Sequence, residues 1–449
     1  MTIQEILHWT GGVCHNKGIA CDIRGISTDT RTLQPGEVFV ALQGERYNGH
    51  DFILEAINKG ALGIVLCYPV EVPKEISTIL VEDTTDALKK IAKGYRQTLL
   101  GQVIVVVGSN GKTTCKDMLS GILQTKYRVT KTVANNNNRI GVSLTLLSAK
   151  KHDDYIVVEA GTSAPGEIAE LCRIIDPDHA LLTNIRAEHL ERLRDIDGVF
   201  REECEIFGYL KNDSLVSLPR DDPFYDKIVS VVTCKTVSSG FSEDSDFMIG
   251  NWQTDSSGQQ FTVTEKQTRE SISVKLPLHG KHMAENACLS ISLAKQLGVE
   301  LAQAAEALRC FTPQKGRMNV LNCNNKTIID DTYNANPAAM MAALDVLEMF
   351  PGKKVAVLGD MAELGIHSAE LHQNVAQYVS RKNIHLVIAV GKDAKNYLKS
   401  NKPSHHFATT AEALTTITDL VLDADVILIK GSRKMQMDQI VEHLRNSTC

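Results

Sequence analysis

Several things are missing from this sequence. No apolar run approaches the ~18 residues a membrane-spanning helix needs, and the opening MTIQEILHWTGG lacks the pattern of a signal peptide. Eleven cysteines are scattered without a C-x-x-C pair or a zinc-type spacing. In a chain this long they read as reduced, mostly packed thiols, and the cytoplasm is the expected compartment. Positive charge is not in excess either. A net charge of −6 gives no global pull toward nucleic acid or anionic lipid, so neither nucleic-acid binding nor membrane insertion is expected, and any phosphate must be held locally. There are no internal repeats, and the only biased tract is the short run Asn135–Asn138.

What remains is an ordinary globular composition, 43% apolar and 23% charged, in a 449-residue chain too long for one core. At roughly 150 residues per domain it suggests about three. Residues 1–83 alternate short strands and helices: GEVFVAL follows the Pro35-Gly36 turn, and HDFILEAINKGALGIVL reads as an amphipathic helix closed by Gly60 before a strand. Residues 84–315 hold TDALKKIAKGYRQTLL, a helix, and then VIVVV, YIVVE and HALL, apolar strands that end in polar residues. Within them, 245–277 alternates as β-hairpins do. From 316 to 449 the strand–helix rhythm of KTIIDD, KKVAVLGD, HLVIAVG and DVILIKGS predicts a parallel sheet. The fold class expected is α/β throughout: a small N-terminal α/β domain, a central P-loop ATPase-type parallel sheet, and a C-terminal Rossmann-like domain.

Chemistry concentrates where VIVVV runs into GSNGKTT. Gly108, Ser109, Asn110, Gly111, Lys112, Thr113 and Thr114 form a glycine turn between a buried strand and a helix, the context in which free backbone N–H groups face an anion. Lys112 adds a point charge, and the Thr113 hydroxyl suits Mg²⁺. The usual loop has a glycine five residues before its Gly-Lys pair; here that place is Val106. The loop alone does not separate kinase, GTPase and ligase. Glu159 ends the next strand and suits either Mg²⁺ or a solvated turn. His189 follows a third strand end, where a lone histidine is more often structural. Asp330, Asp331 and Asn336 in IIDDTYNANP suit ribose hydroxyls or an amine, or a plain helix N-cap before Pro337.

Taken in order, GISTDTR…FVALQGERYNGHDFI, GSNGKTT, VVEAGTSAPGEI, LLTNIRAEHLE, HGKHMAENA, KGRMNV, IIDDTYNANPAAM, VAVLGDMAELG and IKGSRKMQM resemble the Mur ligase family over nearly the whole chain. The pair DDTYNANP and VLGDMAELG resembles the members that join D-alanyl-D-alanine to UDP-N-acetylmuramoyl-tripeptide in peptidoglycan synthesis. The resemblance implies an ATP- and Mg²⁺-dependent ligase working through an acyl phosphate, and a monomer is expected. It implies a UDP-substrate-binding domain at 1–83, an ATP-binding domain at 84–315 and a ligase domain at 316–449. Thr113 and Glu159 then resemble ligands of a first Mg²⁺, and His189 a group near a second. Asn286 resembles the adenine contact, while Arg317 and Asp331 resemble groups reaching the nucleotide from the third domain. Thr30, Arg31, Asn48 and His50 resemble the uridine-diphosphate site. Asn137 and Asn138 resemble a pair that meets the substrate, and Asn334, Asn336 and Ser432 resemble groups on the dipeptide side.

One departure stands out. The family carries a carbamylated lysine fourteen residues after this histidine, and here that register falls on Glu203 in REECEIF. Either Glu203 replaces the modified lysine as a catalytic acid on a shorter stem, or it is merely a helix acid. Ala160, Ser163-Ala164, Arg139, Arg186 and Lys434 also differ from the family pattern. They leave room for an amide ligase with another substrate. A small-molecule kinase on the same loop and a non-catalytic UDP-sugar binder are the rivals from other classes. A GTPase is disfavoured, since no N-K-x-D follows the loop.

Overall fold

The β-branched runs become strands and the amphipathic stretches become helices largely where the pattern places them. The computed structural model describes residues 1–15, 22–44, 47–255, 257–323 and 326–448. Three sheets follow one another along the chain, of five, nine and six strands. The first is parallel across Gly25–Ser27, Glu37–Val40, Gly63–Leu66 and Ser77–Leu80, with Val13–His15 antiparallel at its edge.

The second sheet is centred on Gln102–Val107, flanked in parallel by Tyr155–Glu159 on one side and His179–Leu182 on the other. All three strands are buried almost throughout, which is why they read as continuous apolar runs. Their carboxyl ends lie together, so the loops after Val107, Glu159 and Leu182 meet at one edge, where ligands gather in open α/β sheets. The alternating 245–277 stretch forms Phe247–Asp255, Gly258–Glu265 and Ser271–Leu276, antiparallel to each other and extending the far side of this sheet. In the third sheet Lys326–Asp331, Val426–Lys430, Lys354–Gly359, Leu386–Val390 and Ser404–Phe407 are parallel, with Asn319–Cys323 antiparallel at one edge.

The helix Thr84–Arg96 ties the first sheet to the second. Its inner face (Ala87, Leu88, Ile91, Ala92) belongs to one apolar cluster that also holds Ile6, Val38, Val65 and Ile79 from the first sheet's side and Val103, Val105 and Ile156 from the second. Residue 83 therefore marks a change of sheet but no break in the core. At Gly94 the fit against Trp9 is close enough that a Cβ would stand 2.3 Å from the indole. A fully buried aliphatic side chain contributes about 1.5–3 kcal/mol, so this shared layer binds the first two units firmly. A second cluster joins Met283 and Ala284 to Met340 and Leu344 of the helix Pro337–Met349, and so links the second unit to the third.

Candidate active site

The phosphate loop is built by its own backbone. Gly108 has φ +116°, and a Cβ there would meet the Thr183 hydroxyl at 2.3 Å, so only glycine lets the strand turn this tightly. The loop amides next to it are already engaged: Gly108 N–H donates to Glu203 Oε2 (2.7 Å), Ser109 N–H to the Asn184 carbonyl (2.9 Å) and Asn110 N–H to Asn184 Oδ1 (3.0 Å). Gly111, in the left-handed region, opens the helix Lys112–Leu123 without a side-chain cap. The first N–H groups of that helix are thus left for an anion. Lys112 Nζ bends back over the loop, donating to the carbonyls of Gly108 and of Ser109 (3.0 Å). Burial disfavours its charge, but the carboxylates of Glu188, Glu203 and Glu159 prevail and hold its pKa above the usual lysine value.

This loop floors a cavity of ≈ 800 Å³. Thr113 and Asn137 both donate to Glu159 Oε1, at 3.1 and 3.0 Å, and Lys116 Nζ lies 3.8 Å from its Oε2, which accepts no hydrogen bond. A second buried carboxylate, Glu188, faces the same cavity with Oε1 equally unpartnered. Two acceptor oxygens left bare inside a cleft lined by a hydroxyl and a lysine are what divalent cations need. The donor set therefore fits Mg²⁺, which takes one or two carboxylates plus phosphate oxygens rather than a closed protein cage. No cluster of three or more His, Cys, Asp or Glu side chains suited to a metal occurs among the described residues.

His189 lines the cavity with φ +50°. Its Nδ1 is hydrogen-bonded to Glu363 from the loop after the third-sheet strand Lys354–Gly359, and its Nε2 lies 3.9 Å from Glu188 Oε2. Burial lowers its pKa, but the bond to Glu363 and the charge of Glu188 outweigh that and raise it. Glu203 is fully buried, does not line the cavity, and is pushed up to about 7 by burial despite the nearby Lys112.

The opposite wall comes from the third unit. Arg317 stacks 4.0 Å over Tyr333 with its Nε unpartnered, and both line the cavity with Asp331, Asn334, Asn336 and Lys430. Asp331 accepts from Lys430 Nζ (2.6 Å) and Met318 N–H (3.1 Å). Asn336 is the helix N-cap and also touches the phosphate loop. Its Oδ1 caps the helix Pro337–Met349 through Ala339 N–H (2.9 Å), while its Nδ2 donates to Asn110 Oδ1 of the phosphate loop (2.7 Å). Asn135 reaches across to the Tyr333 hydroxyl in the same way.

Of the other residues singled out from sequence, Asn286, Asn137 and Asn138 line the cavity, and Asn138 also caps the helix Arg139–Ser148. Ser432 is buried, with its hydroxyl unpartnered, and is not among the lining residues. Thr30, Arg31, Asn48 and His50 stay on the first sheet's side, away from this cavity. His50 there is a neutral pin: Nδ1 faces Asn48 Oδ1 (2.9 Å), Nε2 accepts from Cys67 N–H (3.1 Å), and the ring stacks on Tyr68 at 4.0 Å. Burial accordingly lowers its pKa. Arg31 is exposed and paired with Asp29 (2.6 Å). Of the departures, Arg139, Ser163 and Arg186 line the cavity, and Arg186 is paired with the buried Asp222 (2.6 Å). Glu188, Glu363, Tyr333 and Lys430 were missed. Glu188 stands directly before His189, where its adjacency was the available signal; Glu363 is 174 residues away from its partner and gave none.

Comparison with known proteins agrees with this geometry. Family models described as "Mur ligase family, catalytic domain", "Mur ligase middle domain" and "Mur ligase, glutamate ligase domain" match residues 22–96, 106–294 and 316–433. The UDP-N-acetylmuramoyl-tripeptide–D-alanyl-D-alanine ligases of Bacillus subtilis and Escherichia coli are 34% and 33% identical, covering 95% and 100% of this chain and 94% and 99% of their own. A crystal structure of MurF from Acinetobacter baumannii superposes with a TM-score of 0.91 at 31% identity, over 99% of this chain and 98% of that one. A MurF ligase from Thermotoga maritima in complex with ADP gives 0.82 at 29% identity, over 95% and 98%. A three-unit α/β chain with a shortened phosphate loop facing a third-domain wall, matched along its whole length, belongs to the Mur ligase family.

Proposed function

We propose that this protein is an ATP-dependent ligase that adds D-alanyl-D-alanine to UDP-N-acetylmuramoyl-tripeptide, working in the cytoplasm as a monomer to make a peptidoglycan precursor. The observation that carries the reading is the two-walled cavity. A phosphate loop with a buried lysine forms one wall, and Arg317, Asp331, Asn334 and Asn336 of the third unit form the other. Such a cleft brings a nucleotide and a second substrate together, which a one-sided nucleotide binder does not.

Amide formation from a carboxylate needs that carboxylate to attack the γ-phosphorus in line, giving ADP and an acyl phosphate. The dipeptide amine then attacks the acyl carbon and phosphate leaves. The first step forces two anions together, so the protein mainly has to neutralise charge and fix the line of attack. Lys112 and the N–H groups opening its helix do this for the terminal phosphates. Arg317 brings a stacked guanidinium from the facing wall. Asn137 and Asn138 meet the incoming carboxylate beside the loop, and Asn286 meets the adenine. Thr113 and Glu159 would hold Mg²⁺, which when bound withdraws charge from the phosphate oxygens. The first unit, through Thr30, Arg31, Asn48 and His50, holds the uridine diphosphate, and its rigid seating on the second unit sets the reach of the peptide.

The test is ADP release from ATP with the UDP-tripeptide, with and without D-alanyl-D-alanine, followed by the mass of the product. A ligase releases phosphate and gains the dipeptide's mass only with both substrates present. A stable phosphorylated product in the absence of dipeptide would make it a kinase. No turnover at all would leave a binding protein.

A further inference from the structure

We propose that the backbone N–H of Thr162 is a donor for the carboxylate that the ligase activates, and that Glu202 is the residue that positions it. This rests on the ligase reading above and adds a binding group to the acyl-substrate side of the cleft.

The amides around Thr162 are nearly all spoken for. At the end of the strand Tyr155–Glu159, Glu159 N–H donates to the Thr132 hydroxyl (3.0 Å). Ala160 N–H donates to the Val106 carbonyl (3.0 Å) and Gly161 N–H to the Asn137 carbonyl (3.0 Å). Further on, Ser163 and Ala164 donate to Glu167 Oε2 (2.6 and 3.2 Å), and Glu167 N–H to the Ala164 carbonyl (3.4 Å). Gly166 and Ile168 donate to the Glu202 carboxylate (2.7 and 2.8 Å), and Pro165 has no N–H. Among the described residues, Thr162 N–H is the one amide of this stretch without an acceptor. Thr162 is 7% exposed and lines the cavity, so its acceptor is an oxygen that enters the cleft.

The neighbours choose the oxygen. Gly161 packs so closely on Asn137 that a Cβ there would stand 2.6 Å from that side chain. Thr162 thus follows directly on a residue seated against the asparagine that meets the incoming carboxylate. An amide N–H and a carboxylate oxygen make a charge-assisted bond, stronger than a neutral one.

Glu202 holds this amide in place. It is 4% exposed and does not line the cavity. Its carboxylate accepts from the Thr162 hydroxyl (3.0 Å) as well as from Gly166 and Ile168, and so clamps the segment at both ends. Gly166 gives the helix Glu167–Ile175 no side-chain cap; Glu202 supplies one from the neighbouring helix Ile196–Cys204. Glu202 is a positioning residue, acting on substrate only through the segment it holds.

The test is binding of UDP-N-acetylmuramoyl-tripeptide to the full chain loaded with β,γ-methylene ATP, followed on protein labelled with ¹⁵N-threonine. Thr162→Ser keeps the amide and the hydroxyl but deletes the labelled signal, which identifies it. On adding the UDP-tripeptide, the Thr162 amide proton is expected to move downfield and its exchange with solvent to slow. An amide-to-ester replacement at position 162 should weaken UDP-tripeptide binding about tenfold or more, as loss of a charged hydrogen bond does. The same replacement should leave affinity for β,γ-methylene ATP within about twofold. In Glu202→Gln the KM for UDP-tripeptide should rise at least about fivefold while that for ATP stays within about twofold. A merely structural Glu202 would lower the melting temperature and leave the ratio of the two KM values unchanged, which would overturn its part. Should either variant fail to fold, the wild-type signal decides: a Thr162 amide unmoved by bound UDP-tripeptide refutes the donor. That result leaves the ligase reading intact, whereas a UDP-tripeptide that does not bind the wild type at all overturns both.

Discussion

At the scale of single residues the site is a contest of buried charges. Lys112 sits among three carboxylates and is the cation nearest the loop's own carbonyls. One unit-charge pair at about 4 Å in an effective dielectric near 20 is worth roughly 4 kcal/mol, or about a thousandfold in rate. Lys112→Ala should therefore lower single-turnover ADP formation by about that factor while leaving the melting temperature within a few degrees. Glu203 gives a second expectation. Burial raises its folded-state pKa to about 7, above the unfolded carboxylate's 4.5. The folded protein then holds this proton more tightly than the unfolded chain. The resulting stability is full below about pH 4.5 and is lost as the pH rises through 7. Urea midpoints measured from pH 5 to 8 should fall for the wild type and fall less steeply for Glu203→Gln. Glu285, pushed up to about 7 by burial and by Asp221, has the same sign and keeps some slope in the variant. Residues of this kind divide sharply in how legible they were. Lys112, Thr113 and Glu159 announce themselves because each ends or follows a buried strand. Glu188 does not, because only the folded chain shows that its oxygen is bare.

Among the elements, the helix Pro337–Met349 matters most. Its N-cap Asn336 holds the helix and the phosphate loop at once, so of the alternatives left open by the sequence the N-cap is the one seen, with a bond to Asn110 added to it. Asn336→Ala should cost about 1 kcal/mol for the cap alone, read by chemical denaturation, and should also raise the KM for ATP through the lost bond to Asn110. Strands and helices were readable because burial on both faces leaves unbroken apolar runs and burial on one face leaves a 3.6-residue stripe. Pairing across elements was not. The contact between Glu203 and Gly108 spans 95 residues, and no periodicity encodes it.

For the whole molecule, one apolar layer is shared by the first two units, and the third meets the second through another apolar cluster and through polar pairs around the cleft: Asn110 with Asn336, Asn135 with Tyr333, and His189 with Glu363. Within that cluster Met283 and Met340 lie behind these polar pairs. Polar tips around a cleft can part at small cost, so scattering in solution should show a larger radius of gyration for the ligand-free chain than with ATP analogue and UDP-tripeptide bound. Identical dimensions in both conditions would argue against closure. The order of the three units was legible from motif order; the fusion of the first two was not, because hydrophobic patterning says that a face is buried and not against what.

The amide pair between Asn110 and Asn336 has one more consequence. Because it joins the phosphate loop to the C-terminal unit, an Asn110→Ala or Asn336→Ala chain is expected to lose part of one cleft wall, and the check is whether its ATP hydrolysis in the absence of the dipeptide departs from that of the unaltered chain.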